Sequence, residues 1–238
     1  MSIAENVARV REQMNAAARR AARHPDQITL VAVTKTVPPQ PIREAYAAGI
    51  RWFGENRVQE FAAKLDPMRD LSDAHWHMIG HLQSNKASHA VELFDAVDSV
   101  DSLRLARKLN LAALGLAKKL PVLIEINIAG EASKSGLGPH SSEFHDLVTA
   151  APELASLDFQ GLMAVPPYSE DCEDSRPYFR KMRELFHEIG HRRLPSIAMN
   201  VLSMGMSHDF QVALEEGATC VRLGTAIFGK RPPVGSNR

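Results

Sequence analysis

The chain has 238 residues, 45% of them apolar, and its 28 Lys plus Arg balance 28 Asp plus Glu. Such a composition sustains a sizeable core and argues against global disorder. The balanced charge leaves no basic surplus for holding a nucleic-acid backbone and no polybasic tract for a membrane surface.

Taken in chain order, Ile3, Val7, Val10 and Met14 recur at three- and four-residue spacing, which predicts a helix from Ile3 to about Arg23, ended by Pro25. Residues 28–33 form an apolar, β-branched run without alternation, the pattern of a strand covered on both faces. The run closes with Thr34-Lys35-Thr36, and Pro38-Pro39 turns the chain into a helix over 42–48, with Gly49 as its C-cap. The rhythm then repeats as strand 50–54 and helix 57–65, strand 77–80 and helix 85–94, and strand 96–100 and helix 101–119. Strand 122–128 is followed by a Gly/Ser loop over 130–138 and helix 143–150, strand 159–165 by a loop from Pro166-Pro167 and helix 176–189. Strand 201–206, helix 209–216, strand 220–224 and the segment 227–229 complete the series.

Strict alternation requires parallel strands with helical crossovers. Eight such units favour an α/β fold closed as a (β/α)8 TIM barrel over an open doubly wound sheet, with one extra helix at the front. No linker interrupts the chain, so residues 1–238 read as a single domain, with a polar Pro/Gly-rich tail over 231–238 expected to be loose. Cys172 and Cys220 make no disulfide framework and suit free thiols in a reducing compartment. The N-terminus lacks a basic-then-apolar leader, and no apolar run nears the ~20 residues that cross a bilayer, so a cytoplasmic protein is expected.

Functional residues of such a barrel lie at the C-terminal ends of its strands. Lys35 ends a fully apolar strand, where desolvation favours the neutral amine that attacks an aldehyde. The alternative is a lysine that reaches solvent or binds an anion. After strands seven and eight stand Ser203-Met204-Gly205-Met206-Ser207 and Gly224-Thr225. Glycines there let backbone N–H groups converge and hydroxyls add donors, as a phosphate cradle needs, although two ordinary tight turns would read alike. Neither segment is a dinucleotide fingerprint or a P-loop.

A reactive lysine on strand one and a phosphate cradle on strands seven and eight would adjoin in a closed barrel. Pyridoxal 5′-phosphate (PLP) carries an aldehyde and a phosphate on one ring, and Arg222 would then stand by its pyridine nitrogen. Arginine only donates, so it would keep that nitrogen unprotonated and the ring a poorer electron sink. His75, His77, His81 and His89 cluster around strand three, but no carboxylate or cysteine set accompanies them, and a metal site is not expected. No G-x-S-x-G elbow supports a serine nucleophile.

Six segments in order then resemble the pyridoxal phosphate homeostasis proteins. They are residues 31–36 (VAVTKT), 53–60 (FGENRVQE), 77–86 (HMIGHLQSNK), 161–164 (GLMA), 202–207 (LSMGMS) and 221–229 (VRLGTAIFG). The resemblance implies the barrel of the alanine racemase N-terminal domain, with PLP as a Schiff base on Lys35. It implies phosphate held by Ser207, Gly224 and Thr225, Arg222 near the pyridine nitrogen, and Asn56 and Ser203 lining the pocket. It also implies a monomer that buffers PLP and delivers it to apo PLP-dependent enzymes, with no established reaction.

A racemase reading remains open beside it, with Lys35 as base. Such an enzyme needs a second base on the opposite face, which alanine racemase takes from the β-domain of a partner subunit, and the chain ends soon after strand eight. Tyr168, after strand six, is the tyrosine placed to reach the mouth. A sugar-phosphate isomerase or aldolase using Lys35 without PLP is a third reading.

Overall fold

Ser2 starts the first helix. Its hydroxyl accepts the Glu5 N–H at 3.2 Å while Glu5 Oε2 accepts the Ser2 N–H at 2.7 Å, a reciprocal cap that satisfies two otherwise unpaired donors. The computed structural model describes residues 1–131 and 134–229. In it α1 (Ile3–Arg20) stops short of the expected Arg23, because the backbone turns left-handed at Ala22 and frees Arg23 to donate to the Leu214 and Ala218 carbonyls.

From there the predicted alternation holds. The elements are β1 (Thr29–Val33), α2 (Pro39–Ala47), β2 (Trp52–Glu55), α3 (Val58–Lys64), β3 (His75–Met78), α4 (Ala87–Leu93), β4 (Ala96–Val100) and α5 (Leu103–Gly115). They continue as β5 (Leu120–Ile126), α6 (Ser142–Ala150), β6 (Leu157–Ala164), α7 (Arg176–His191), β7 (Ile197–Ser203), α8 (Phe210–Glu215), β8 (Cys220–Leu223) and α9 (Thr225–Phe228). The tail expected to be loose, 231–238, lies outside the described residues.

All neighbouring strands pair in parallel, and β1 pairs with β8 through Val31 and Arg222, so the barrel closes in sequence order. Closure pairs both edges of the sheet and places the end of β1 beside the end of β8. The extended strands β6 and β7 begin earlier than the apolar runs suggested. At their contact a Cβ on Gly161 would lie 1.9 Å from the Val201 carbonyl oxygen, and the register shifts there.

The core between barrel and helices is built from the outward residues of each strand, such as Leu30, Ala32, Phe53, Trp76, Ile124 and Leu223. Under α3 and α4 it is aromatic. Phe53 and Trp76 stack at 4.9 Å between centroids, Phe61 meets Trp76 at 4.8 Å, and Phe61 meets Phe94 at 4.8 Å. Each such pair contributes about 0.5–1.5 kcal/mol beyond area burial and fixes α3 against β2 and β3. Outside the barrel, α1 lies against α8 and α9, and the buried Asn6 donates to the Ile227 carbonyl at 2.9 Å. That bond ties the front helix to the short last helix, which no periodicity announced because four residues are too few to show one.

Candidate functional site

The pleat decides which side chains enter the barrel. Near the N-terminal ends of the strands, Thr29, Trp52, His77, Asp98, Leu123 and Cys220 line one interior cavity of about 150 Å³. Side chains two residues further along a strand face the same way. Thr29 therefore leads through Val31 to Val33, Trp52 to Gly54, Leu123 to Glu125, and Cys220 to Arg222, while Lys35, Asn56 and Gly224 follow just past the ends of β1, β2 and β8. The spatial contact of Gly54 with Val31 and Ile79 agrees with this layering. Lys35, Asn56, Glu125 and Arg222 thus rise to the C-terminal mouth, the end that carries function in barrels.

Each sequence-predicted residue falls at this end. Lys35 follows β1 and is partly buried, in a turn closed by the Val37 N–H donating to the Thr34 carbonyl at 2.9 Å. Asn56 follows β2, and its Oδ1 is buried without a hydrogen-bond partner among the described residues. A Cβ on Gly80 would lie 2.6 Å from the Asn56 carbonyl oxygen and 2.8 Å from its Cα, so the absence of a side chain at Gly80 lets the end of β3 close against Asn56.

Arg222 is buried, and its Nη1 donates to Ser203 Oγ at 2.5 Å and its Nη2 to the Ala164 carbonyl at 2.8 Å. Burial pulls the guanidinium below its ordinary value, and the nearby Cys220, Asp98 and Glu125 oppose that. Both of those hydrogen-bond acceptors are neutral. Ser203 is fully buried.

Ser207 gathers the turn after β8. Its Oγ accepts the Gly224 N–H at 3.1 Å and the Ala226 N–H at 3.2 Å, and a hydroxyl that accepts two bonds has its own proton left to donate. Asp209, expected inside the following helix, instead caps the turn before α8, its Oδ1 accepting the Met206 N–H at 2.7 Å. Thr225 is exposed at the start of α9. The structure therefore brings Lys35, Asn56, Ser203, Ser207, Arg222, Gly224 and Thr225 to one end of the barrel.

Sequence reasoning misses one residue of this site. Glu125, inside the barrel on β5, has an Oε2 buried without a partner among the described residues, and burial pushes its carboxyl up to about 7. Asp101 pushes it the same way, while Arg222 and His81 oppose it. The available signal is a carboxylate inside an otherwise apolar strand.

At the opposite end, His77 Nδ1 stands 3.1 Å from Asp98 Oδ1. Both His75 and His77 do lie in β3, yet among the described residues no three His, Cys, Asp or Glu gather as a metal site. The Cys220 thiol is pushed up to about 11 by burial and by Asp98, so it is a poor nucleophile at neutral pH.

These residues fit PLP as a group. An amine follows the end of β1, a hydroxyl with a proton left to donate sits at the turn after β8, a buried cation with neutral hydrogen-bond acceptors stands on β8, and an orphaned amide oxygen follows the neighbouring β2. No helix among the described residues is long and apolar enough to cross a membrane.

The family model of the alanine racemase N-terminal domain matches residues 3–232. A pyridoxal phosphate homeostasis protein of Aquifex aeolicus is 44% identical over 231 residues, covering 97% of this chain and 99% of the relative. One of Escherichia coli is 43% identical, covering 96% and 97%. Among solved structures, PipY of Synechococcus elongatus with PLP bound is 38% identical, covers 96% of this chain and 100% of its own, and superimposes with a TM-score of 0.80.

Proposed function

The chain belongs to the alanine racemase N-terminal domain family and, within it, to the pyridoxal phosphate homeostasis proteins; from that membership we propose that it binds PLP and serves intracellular PLP homeostasis, taking up and handing over the cofactor. The observation that carries the reading is the β1–β8 closure, which sets the end of β1, followed by Lys35, beside the end of β8, where the Gly224 and Ala226 N–H groups converge on the Ser207 hydroxyl.

When bound, PLP supplies an aldehyde that condenses with a primary amine, releasing water, and a phosphate that seeks N–H and O–H donors. Lys35 Nζ is the proposed amine. Ser207 Oγ–H, with the Gly224 and Thr225 segment, would hold the phosphate. Arg222 would be the donor to the ring nitrogen, which would hold that atom unprotonated and keep the ring a weak electron sink. Asn56 Oδ1 and Ser203 complete the lining.

Weak electron withdrawal suits carriage more than amino-acid chemistry. A racemase needs a second acid–base group facing Lys35. Tyr168, expected near the mouth, is 79% exposed with its ring 5.7 Å from that of His208, a rim position. We take the acceptors to be apo PLP-dependent enzymes, the working form to be a monomer, and the compartment to be the cytoplasm, in keeping with the free Cys172 and Cys220.

The test is direct. Purified protein saturated with PLP is reduced with borohydride and digested, and the pyridoxyl group is expected on Lys35. It is expected to disappear in Lys35→Ala. Loaded protein mixed with an apo-enzyme should restore that enzyme's activity, while amino-acid racemisation should stay at background. Unmodified Lys35 in saturated protein would sink the reading, and racemisation that depends on Lys35 would replace it with the enzyme.

A further inference from the structure

The 53–60 segment contains two carboxylates, Glu55 and Glu60, that the proposed cofactor contacts do not use. Glu55 points outward from β2, away from the barrel interior, and is fully buried. Its Oε1 accepts the Thr34 hydroxyl and lies 2.7 Å from Lys64 Nζ. Lys64, at the end of α3, has a side chain only 10% exposed. Its ammonium also donates to the Thr34 carbonyl at 2.8 Å, to the Val37 carbonyl at 3.4 Å and to Glu60 Oε1 at 3.3 Å. Glu60 Oε1 in turn accepts the Thr36 N–H. The ammonium therefore holds the carbonyls of residues 34 and 37, Glu60 the amide of residue 36 and Glu55 the Thr34 hydroxyl, on both sides of Lys35.

The gripped turn needs holding. Thr36 has φ +58, a left-handed conformation that is unfavourable for a β-branched residue. Such an outlier persists where its surroundings over-determine it, and it sits next to the residue proposed to hold the cofactor. Lys35 itself lies within this turn, two residues past the end of β1, so the geometry of the turn sets the direction in which that side chain leaves the barrel wall. Burial raises the Glu55 carboxyl, and Lys64 opposes the rise, which marks the pair as costly to bury and therefore dependent on mutual contact.

We propose that Lys64, with Glu55 and Glu60, is a positioning clamp that fixes the strained Thr34–Val37 turn and thereby aims Lys35 into the cofactor mouth. The inference rests on the PLP reading above for its functional consequence. The clamp itself is a property of the protein before any ligand binds.

The experiment compares Lys64→Met, Glu60→Ala and Glu60→Gln with the parent chain. Glutamine keeps an oxygen able to accept the Thr36 N–H, whereas alanine removes it. In protein without PLP, hydrogen exchange at the Thr36 and Val37 amides is expected to quicken in Glu60→Ala by about tenfold or more, with exchange in the barrel strands unchanged. In PLP titrations well below the melting temperature, the dissociation constant of Glu60→Ala should rise about tenfold, because a reacting amine misplaced by an ångström loses that much or more. The pH at which the visible band of the bound form titrates should move with it. Glu60→Gln should stay within about threefold of the parent in both measurements, as a retained acceptor predicts.

Lys64→Met leaves the buried Glu55 and the partly exposed Glu60 without their cation, and if it does not fold, Glu60→Ala carries the test alone. Folded Glu60→Ala with parental exchange at Thr36 and a parental dissociation constant would overturn the proposal, as would equal losses in Glu60→Ala and Glu60→Gln. If the parent itself does not attach PLP at Lys35, the functional reading fails, whereas the exchange measurement still decides whether the clamp exists.

Discussion

Arg222 and Ser203 meet inside the barrel with 2.5 Å between Nη1 and Oγ, although 19 residues separate them and they stand on adjacent strands. The serine supplies an acceptor to a buried cation inside the barrel. Ser203→Ala removes that acceptor and leaves a buried guanidinium donor unpaired, which costs about 1–3 kcal/mol. Thermal or urea unfolding of the ligand-free protein should register the loss, and Ser203→Thr, which keeps a hydroxyl, should recover most of it.

Glu125 makes stability depend on pH. Its carboxyl is raised from 4.5 to about 7 in the folded chain, so between those values the native state keeps a proton that the unfolded chain has released. Stability therefore falls as pH rises through that window, by about 3 kcal/mol in all, because each tenfold difference in proton affinity between the two states is worth roughly 1.4 kcal/mol. Glu125→Gln should flatten this part of the profile and gain on the parent chain as pH increases from 5 to 8. Urea unfolding of ligand-free protein at several pH values checks it, and parallel profiles for the two chains would refute the assignment.

His77 adds a second, distinguishable slope. Burial alone would lower its pKa, but the Asp98 carboxylate at 3.1 Å, together with Asp95, outweighs burial and raises it. The ion pair stabilises fully below the unfolded histidine value, about 6.5, and its contribution is lost as pH climbs through the higher folded value. The margin of the parent chain over Asp98→Asn should thus be widest in mild acid and narrow in alkali. An NMR titration of the His77 ring should place its midpoint above the ordinary value in the parent and below it in Asp98→Asn.

Gly80 controls the approach of β3 to Asn56. In Gly80→Ala the new methyl would sit 2.6 Å from the Asn56 carbonyl oxygen and 3.0 Å from its Cβ, so one of the two segments must move. Overpacking of this kind costs about 1–3 kcal/mol. Because the displaced residue lines the mouth, PLP affinity should weaken more than in Ser203→Ala. Parental affinity in a folded Gly80→Ala would place Asn56 outside the cofactor contacts.

The order of elements and the closed architecture can be read from local pattern. Residues 96–100 have the pattern of a strand and form one, and the eightfold alternation foretells the barrel, because backbone periodicity is written within a few residues. Lys35 can be placed at a strand end on the same grounds. Polar side chains blur the edges: β3 begins at His75, before the apolar run that announces it, where His75 stacks on Trp52 at 5.6 Å. What no local pattern contains is which distant groups meet. Lys64 grips a carbonyl 30 residues earlier, and Arg222 reaches one 58 residues earlier. Glu125 reads as one more acid in the chain until burial and the nearness of Asp101, His81 and Arg222 set its proton affinity. Such fields arise only when separate strands close into a low-dielectric interior, so the barrel, and not the order of residues, decided them.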